Sequence, residues 1–194
     1  NVHKKSIHFI TNPLPFDIID TLSIHQNPFS KDNINILHVG SLIRRKRLDI
    51  LVESIKLIRC SKKLTLHFVG DGEEKEKIKS ILHTYNIDYK FWGQQNNPFT
   101  FIKNCDLVVQ TSEAEGFSNA IFESIYLKKK VVIVDSEPFM SKIIIDNNLG
   151  EVAKVNDIND ISYKISKAIK SEYDIFDKEF KSKEFNKFFK KVLR

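Results

Sequence analysis

The chain has 194 residues, 41% hydrophobic and 29% charged, an ordinary composition for one globular domain with appended segments. Its net charge of +6 gathers at one end, where residues 176–194 hold seven Lys/Arg against three Asp/Glu. A basic tail rather than a basic surface argues against nucleic-acid binding, and no apolar run reaches the ~18 residues of a membrane-spanning helix.

Asn1 to Pro13 (NVHKKSIHFITNP) has neither the apolar core nor the small-residue cleavage site of a signal peptide. Cys60 and Cys105 are far apart, lack metal-ligand spacing, and read as reduced core thiols of a cytoplasmic protein. Residues 1–33 read as a lead-in and linker. Ile7 to Ile10 is a candidate strand, Asp17 to Leu22 one or two helical turns, and Gln26 to Asn33 a linker.

The domain proper spans 34–175. Ile34 to Val39 reads as the first strand, stopped by Gly40. After Ser41-Leu42-Ile43-Arg44-Arg45-Lys46-Arg47, a helix runs from Leu48 to Ile58 with Leu48, Leu51, Val52, Ile55 and Ile58 on one face. A second strand, Leu64 to Val69, ends at Gly70-Asp71-Gly72, and a charged helix follows from Glu73 to His83. Tyr89 to Trp92 is a short third strand and Pro98 to Lys103 a short helix. The fourth strand, Leu107 to Val109, passes through a Glu115-Gly116-Phe117 turn into a helix from Asn119 to Lys129, with Ser118 at the N-cap position. Val131 to Val134 and Glu151 to Val155 are the last strands, separated by a helix from Ser141 to Asp146. A helix from Asp160 to Ile169 completes the alternation. This pattern predicts an α/β fold: a Rossmann-like, doubly wound parallel sheet of about six strands with helices on both faces.

Chemistry concentrates in two places. Arg44, Arg45, Lys46 and Arg47 are four consecutive cations before a helix, where they oppose its dipole. A bound pyrophosphate would account for them; a solvated basic loop is the alternative. Helical spacing lets one or two of the four face any one site. Glu115 and Glu123 lie eight residues apart around a glycine turn at a helix start, a position suited to anions. Carboxylates beside an anion fit a ligand that also presents hydroxyls, such as a nucleotide sugar, although two surface carboxylates would have the same spacing. In strand order 3-2-1-4-5-6 the first and fourth strands are neighbours, so the basic loop and the two-glutamate turn meet at the carboxyl ends of the strands. Gly70-Asp71-Gly72 is either a tight turn or backbone room for a nucleobase. His38 and His67 read as core histidines. No metal cluster, Walker loop or nicotinamide glycine fingerprint is present.

These residues resemble the E-x7-E motif, Glu115-Gly116-Phe117-Ser118 to Glu123, of glycosyltransferase family 4. Those are retaining enzymes built of two Rossmann-like halves, the GT-B architecture. Further likenesses occur in order: His38-Val39-Gly40 with Arg45-Lys46 and Leu48-Asp49, Val69-Gly70-Asp71-Gly72, and Phe91-Trp92-Gly93 to Asn104-Cys105-Asp106. The resemblance covers roughly residues 34–170 and implies the C-terminal, donor-binding half of such an enzyme.

It implies catalytic roles for Arg45, Lys46 and Glu115, the cations on the donor diphosphate and the carboxylate on the sugar hydroxyls. Gly116 and Phe117 would bind the diphosphate through their amides, and Glu123 the ribose diol. Gly40, Ser41, Gly70, Asp71, Ser118 and Asn119 would complete the donor site. No metal and no cofactor is implied; the donor is a UDP- or GDP-linked sugar and the acceptor a glycan or lipid-linked chain. The implied setting is cell-surface polysaccharide or glycolipid synthesis at the inner membrane face, with an N-terminal Rossmann domain or partner subunit carrying the acceptor site. Without that half the chain is expected to bind a donor and turn over poorly. Departures are Ser41 for a usual Arg, Lys128-Lys129-Lys130 for Gly-Lys-Pro, and Phe139 and Lys142 for a usual Gly and Glu. The rival readings are a non-catalytic nucleotide-sugar-binding partner domain and a nucleotide-sugar epimerase. Residues 176–194 read as a basic amphipathic helix, with Phe176, Phe180, Phe185, Phe188, Phe189 and Val192 at helical spacing. It would pack on this domain, cross to an N-terminal one, or rest on an anionic membrane surface.

Overall fold

The computed structural model describes residues 16–24, 26–115 and 118–171. The expected strand at Ile7 to Ile10, the C-terminal helix, and Gly116 and Phe117 lie outside them. A short helix, α1 (Phe16–Leu22), precedes the sheet. Strands β1 (Ile34–Val39), β2 (Leu64–Val69), β3 (Asp88–Gly93), β4 (Leu107–Gln110), β5 (Lys130–Val134) and β6 (Gly150–Ala153) alternate with helices. The helices are α2 (Leu48–Lys56), α3 (Lys75–Thr84), α4 (Phe99–Asn104), α5 (Asn119–Tyr126), α6 (Pro138–Asp146) and α7 (Ile158–Lys170).

All pairings are parallel, in the order β3-β2-β1-β4-β5-β6. This is the Rossmann-like arrangement expected from the strand-helix alternation. Strands buried on both faces need apolar side chains pointing both ways. Accordingly Leu37, Val108, Val131 and Ile133 join one core with α1, α4, α5 and α6, while Ile36, Leu107, Val109 and Val132 join the other with α2, α3 and α7. Register starts Ile34 opposite Leu64 and Ile36 opposite Leu107, so β1 lies between β2 and β4. Chain order reverses there, opening a crevice at the carboxyl ends of β1 and β4.

Boundaries shift where local chemistry intervenes. α5 stops at Tyr126, before the expected Lys129, because Lys128 turns left-handed at φ 59° and Lys129 sends its ammonium to the Cys105 carbonyl at 3.0 Å. α6 begins earlier than expected, at Pro138, because the Glu137 carboxylate caps it, accepting from the Phe139 and Met140 amides. Cys105 is buried and its thiol is pushed up to about 12 by that burial. Cys60 is exposed, correcting its reading as a core thiol: it lies past the end of α2, where the chain has left the sheet.

Candidate functional site

The basic loop after β1 folds as a single 3-10 turn, Arg44–Lys46, and Arg47 then adopts a left-handed conformation at φ 48° to start α2. This geometry separates the four cations. Arg44 is exposed. Arg47 bonds Asp49 at 3.2 Å, Glu113 at 3.3 Å and Asn156 at 2.7 Å, which makes it a strut between α2, the loop after β4 and the loop before α7. Arg45 and Lys46 turn into the crevice.

The loop after β4 is clipped to this turn along its length. The Thr111 hydroxyl lies 3.0 Å from both the Lys46 and Arg47 carbonyls, and the Glu113 amide donates to the Arg45 carbonyl at 3.0 Å. The result is a direct meeting of residues 69 apart in sequence. Lys46 donates through Nζ to Glu115 Oε1, and Arg45 Nη1 lies 3.3 Å from Glu115 Oε2 while donating to the Ala114 carbonyl at 3.0 Å. The Lys46 and Glu115 side chains are only 11% and 12% exposed. A cation held that deep requires such a partner. Burial by itself would raise the Glu115 carboxyl; the hydrogen bonds from Lys46 and Ser112 and the charges of Lys46 and Arg45 outweigh it and hold the carboxyl below its ordinary value.

A relay of amide and hydroxyl groups braces Glu115 from behind. Gln110 donates to Glu115 Oε1 at 2.9 Å and to the Ser112 hydroxyl at 3.2 Å, and accepts from Ser118 at 2.6 Å. Ser118 thus occupies the N-cap position of α5, but its side chain does not cap the helix: the hydroxyl is drawn away to Gln110. Gln110, Thr111 and Ser112 are all buried and were not among the expected site residues. Their signal in the sequence is a polar triplet following a fully apolar strand.

Gly40 has φ +146°, and the position its Cβ would take lies 3.6 Å from His38 Nε2 and 3.9 Å from Lys46 Nζ. His38 is buried, as expected of a core histidine, yet neither ring nitrogen makes a hydrogen bond of good geometry. Burial, then the charge of Lys46, lowers its pKa to about 4, only partly offset by the Val109 backbone and Glu115. His67 is a conventional core histidine: Trp92 donates to its Nδ1 at 3.2 Å, so its Nε2–H faces Asn35 Oδ1 at 3.1 Å. Glu123, on the first turn and a half of α5, is half-buried, and its carboxylate has no hydrogen-bond or ion-pair partner among the described residues; burial raises its pKa.

The other expected site residues sit around this centre. Ser41 and Asn119 are exposed at the rim. Asp71 is exposed, accepts from the Gly72 amide at 2.9 Å and pairs with Lys75 at 3.3 Å. Gly70 has a structural duty: with φ +135°, a Cβ there would sit 2.0 Å from the Gly40 carbonyl oxygen. The Leu42 amide donates to the Asp71 carbonyl and the Glu74 amide to the Leu42 carbonyl, each at 2.9 Å, so the glycine turn after β2 is the wall against which the basic loop is shaped.

The family profile described as glycosyl transferases group 1 matches residues 20–187. The chain belongs to the group 1 glycosyl transferases. Two curated relatives of this group 1 chain are bacterial enzymes. The poly(ribitol-phosphate) alpha-N-acetylglucosaminyltransferase of Staphylococcus aureus is 29% identical over 87% of this chain and 34% of its own. The N-acetylgalactosamine-N,N'-diacetylbacillosaminyl-diphospho-undecaprenol 4-alpha-N-acetylgalactosaminyltransferase of Campylobacter jejuni is 27% identical over 64% of this chain and 34% of its own. The chain therefore spans about a third of the length of the curated relatives it matches. Among solved structures, a variant of S. aureus TarM in complex with Fondaparinux, alpha-GlcNAc-glycerol and UDP superposes with a TM-score of 0.69 at 26% identity, over 87% of this chain and 35% of that one. WaaG, a glycosyltransferase involved in lipopolysaccharide biosynthesis, gives 0.68 at 19% identity over 82% of this chain and 43% of that one, a likeness of fold. Among the described residues no helix is long and apolar enough to cross a membrane.

Proposed function

We propose that this domain is the donor-binding half of a retaining glycosyltransferase of family 4, taking a sugar from a nucleoside diphosphate to a glycan or lipid-linked acceptor. The observation that carries the reading is the convergence of Arg45 and Lys46 with Glu115 at the reversal of strand order. In the ligand-free chain the two cations hold a carboxylate. With a donor present they turn to the diphosphate, and Glu115 is released to accept from sugar hydroxyls. The Glu123 carboxylate, half-buried and without a partner among the described residues, would accept from the ribose diol. As the bond from the anomeric carbon to the β-phosphate oxygen breaks, negative charge grows on that oxygen, and cations already fixed beside it lower the barrier. Removing one such group costs roughly 10²–10³ in rate. No metal is needed for this step, because Arg45 and Lys46 supply the positive charge.

A second reading, a non-catalytic nucleotide-sugar-binding partner, draws on Lys142. Where the resemblance places a site Glu, this lysine is solvent-exposed and pairs along α6 with Asp146 at 2.7 Å. One experiment tests the donor reading: calorimetric titration of the purified chain with UDP-, GDP- and ADP-sugars, repeated with Lys46→Ala and Glu123→Ala. One nucleotide class binds, and each substitution weakens it about tenfold or more. Absence of binding by all three classes refutes the reading. Adding an acceptor-binding half then separates enzyme from partner: transfer appears in the first case and is absent in the second.

A further inference from the structure

Glu115 also borders a small cavity between the carboxyl ends of β4 and β5 and the starts of α5 and α6. Its free volume is about 20 Å³, above the ~10–15 Å³ that a single water-sized group requires. Its floor is apolar: Ile121, Ile133 and Met140, all buried. Such a floor holds water poorly and favours a methyl group.

The rim is polar in a specific way. Ser118 spends its proton on Gln110 and so keeps lone pairs for an incoming N–H. The Ser136 hydroxyl has no partner among the described residues and is free to donate to a carbonyl. Glu137 also borders the cavity, but both its oxygens are committed to the α6 amides, at 3.1 and 2.6 Å. A substituent matched to this cavity ends in a methyl group and carries one amide N–H and one carbonyl just behind it.

We infer that the donor is an acetamido sugar, its N-acetyl methyl seated on Ile133 and Met140 and its amide between Ser118 and Ser136. The inference rests on the donor reading above, because it needs the neighbouring hydroxyl to lie on Glu115. A plain hydroxyl at that position would leave the apolar floor empty. One methyl-sized contact in a fitted pocket discriminates by roughly 10–200-fold.

The test is calorimetry on the 194-residue chain with UDP, UDP-N-acetylglucosamine and UDP-N-acetylgalactosamine, against UDP-glucose and UDP-galactose. The acetamido member of each pair binds about tenfold tighter. Met140→Phe fills the cavity and brings the ratio toward one, and Ser136→Ala, which leaves the packing intact, lowers it severalfold. Equal or weaker binding of the acetamido sugars overturns the inference while UDP binding keeps the donor reading. A preference for a 6-deoxyhexose donor, whose methyl would fill the same space without an amide, also overturns it. Failure of UDP-, GDP- and ADP-linked ligands alike to bind defeats the donor reading itself.

Discussion

Replacing Glu115 with glutamine separates the ion pairs that the structure shows from the sugar contact that we propose. The carboxylate pairs with Lys46 and Arg45, and in the proposed function it would accept from sugar hydroxyls. Its charge therefore competes with a diphosphate for the same two cations. Removing one unit charge about 4 Å from another changes their interaction by roughly 1 kcal/mol in water and 4 at an intermediate dielectric. The crevice is open to solvent on the Arg45 side, where that side chain is 49% exposed, so the lower figure applies. Free UDP should then bind Glu115→Gln about fivefold more tightly than the parent, corresponding to about 1 kcal/mol.

Stability moves the other way. Lys46 is left buried with weaker partners, and breaking a buried pair costs as much as ~3–5 kcal/mol. Because the glutamine still accepts a hydrogen bond from Lys46, a loss of about 1–2 kcal/mol is expected. Saturating UDP replaces the missing anion, so the UDP-induced rise in Tm is larger in the variant than in the parent. Calorimetry and thermal melts with and without UDP measure both. Unchanged or weaker UDP binding by Glu115→Gln would refute the idea that Glu115 and the diphosphate share Arg45 and Lys46.

Other expectations follow from individual contacts. Glu123→Ala should weaken UDP about tenfold while costing no stability, since it removes a half-buried carboxylate without a partner among the described residues; equal UDP affinity would remove Glu123 from the proposed ribose contact. Gly70→Ala should cost about 3 kcal/mol or more in urea unfolding, combining a strained positive φ with a clash, because its Cβ would sit 2.0 Å from the Gly40 oxygen. A loss well under 1 kcal/mol would show that the two loops part easily. His38 titrates near 4 in the folded chain against 6.5 when exposed, so between those pH values the unfolded chain binds a proton that the folded chain refuses. Stability should accordingly rise from pH 4 to 6.5, by up to about 3 kcal/mol from this group. His67, also lowered to about 4 by burial, contributes in the same window and the same direction, and the raised Glu123 opposes both. His38→Phe should flatten that limb of the pH profile, and an unchanged slope in urea melts would contradict the assignment.

What could be read from the sequence and what could not divide along a physical line. The strands Ile34–Val39 and Leu64–Val69 have the expected bounds because each is a mostly apolar run of β-forming residues that a glycine ends. From the alternation, the order of the sheet and the meeting of the loops after β1 and β4 followed. Local pattern does not carry pairing over long separations, so nothing near Lys46 announced Glu115, and nothing near Arg47 announced Glu113 or Asn156. Ser118 shows the same limit: its position is a helix start, but a glutamine eight residues earlier takes its hydroxyl. The four cations show what decides between identical neighbours. A left-handed residue without glycine costs roughly 1–2 kcal/mol, and Arg47 adopts one while its guanidinium holds Asp49, Glu113 and Asn156. That single residue sets the phase of the preceding 3-10 turn, sending Arg45 and Lys46 into the crevice and Arg44 out. The aim of those two charges is therefore controlled by a third cation that pairs elsewhere, with Asp49 and Glu113.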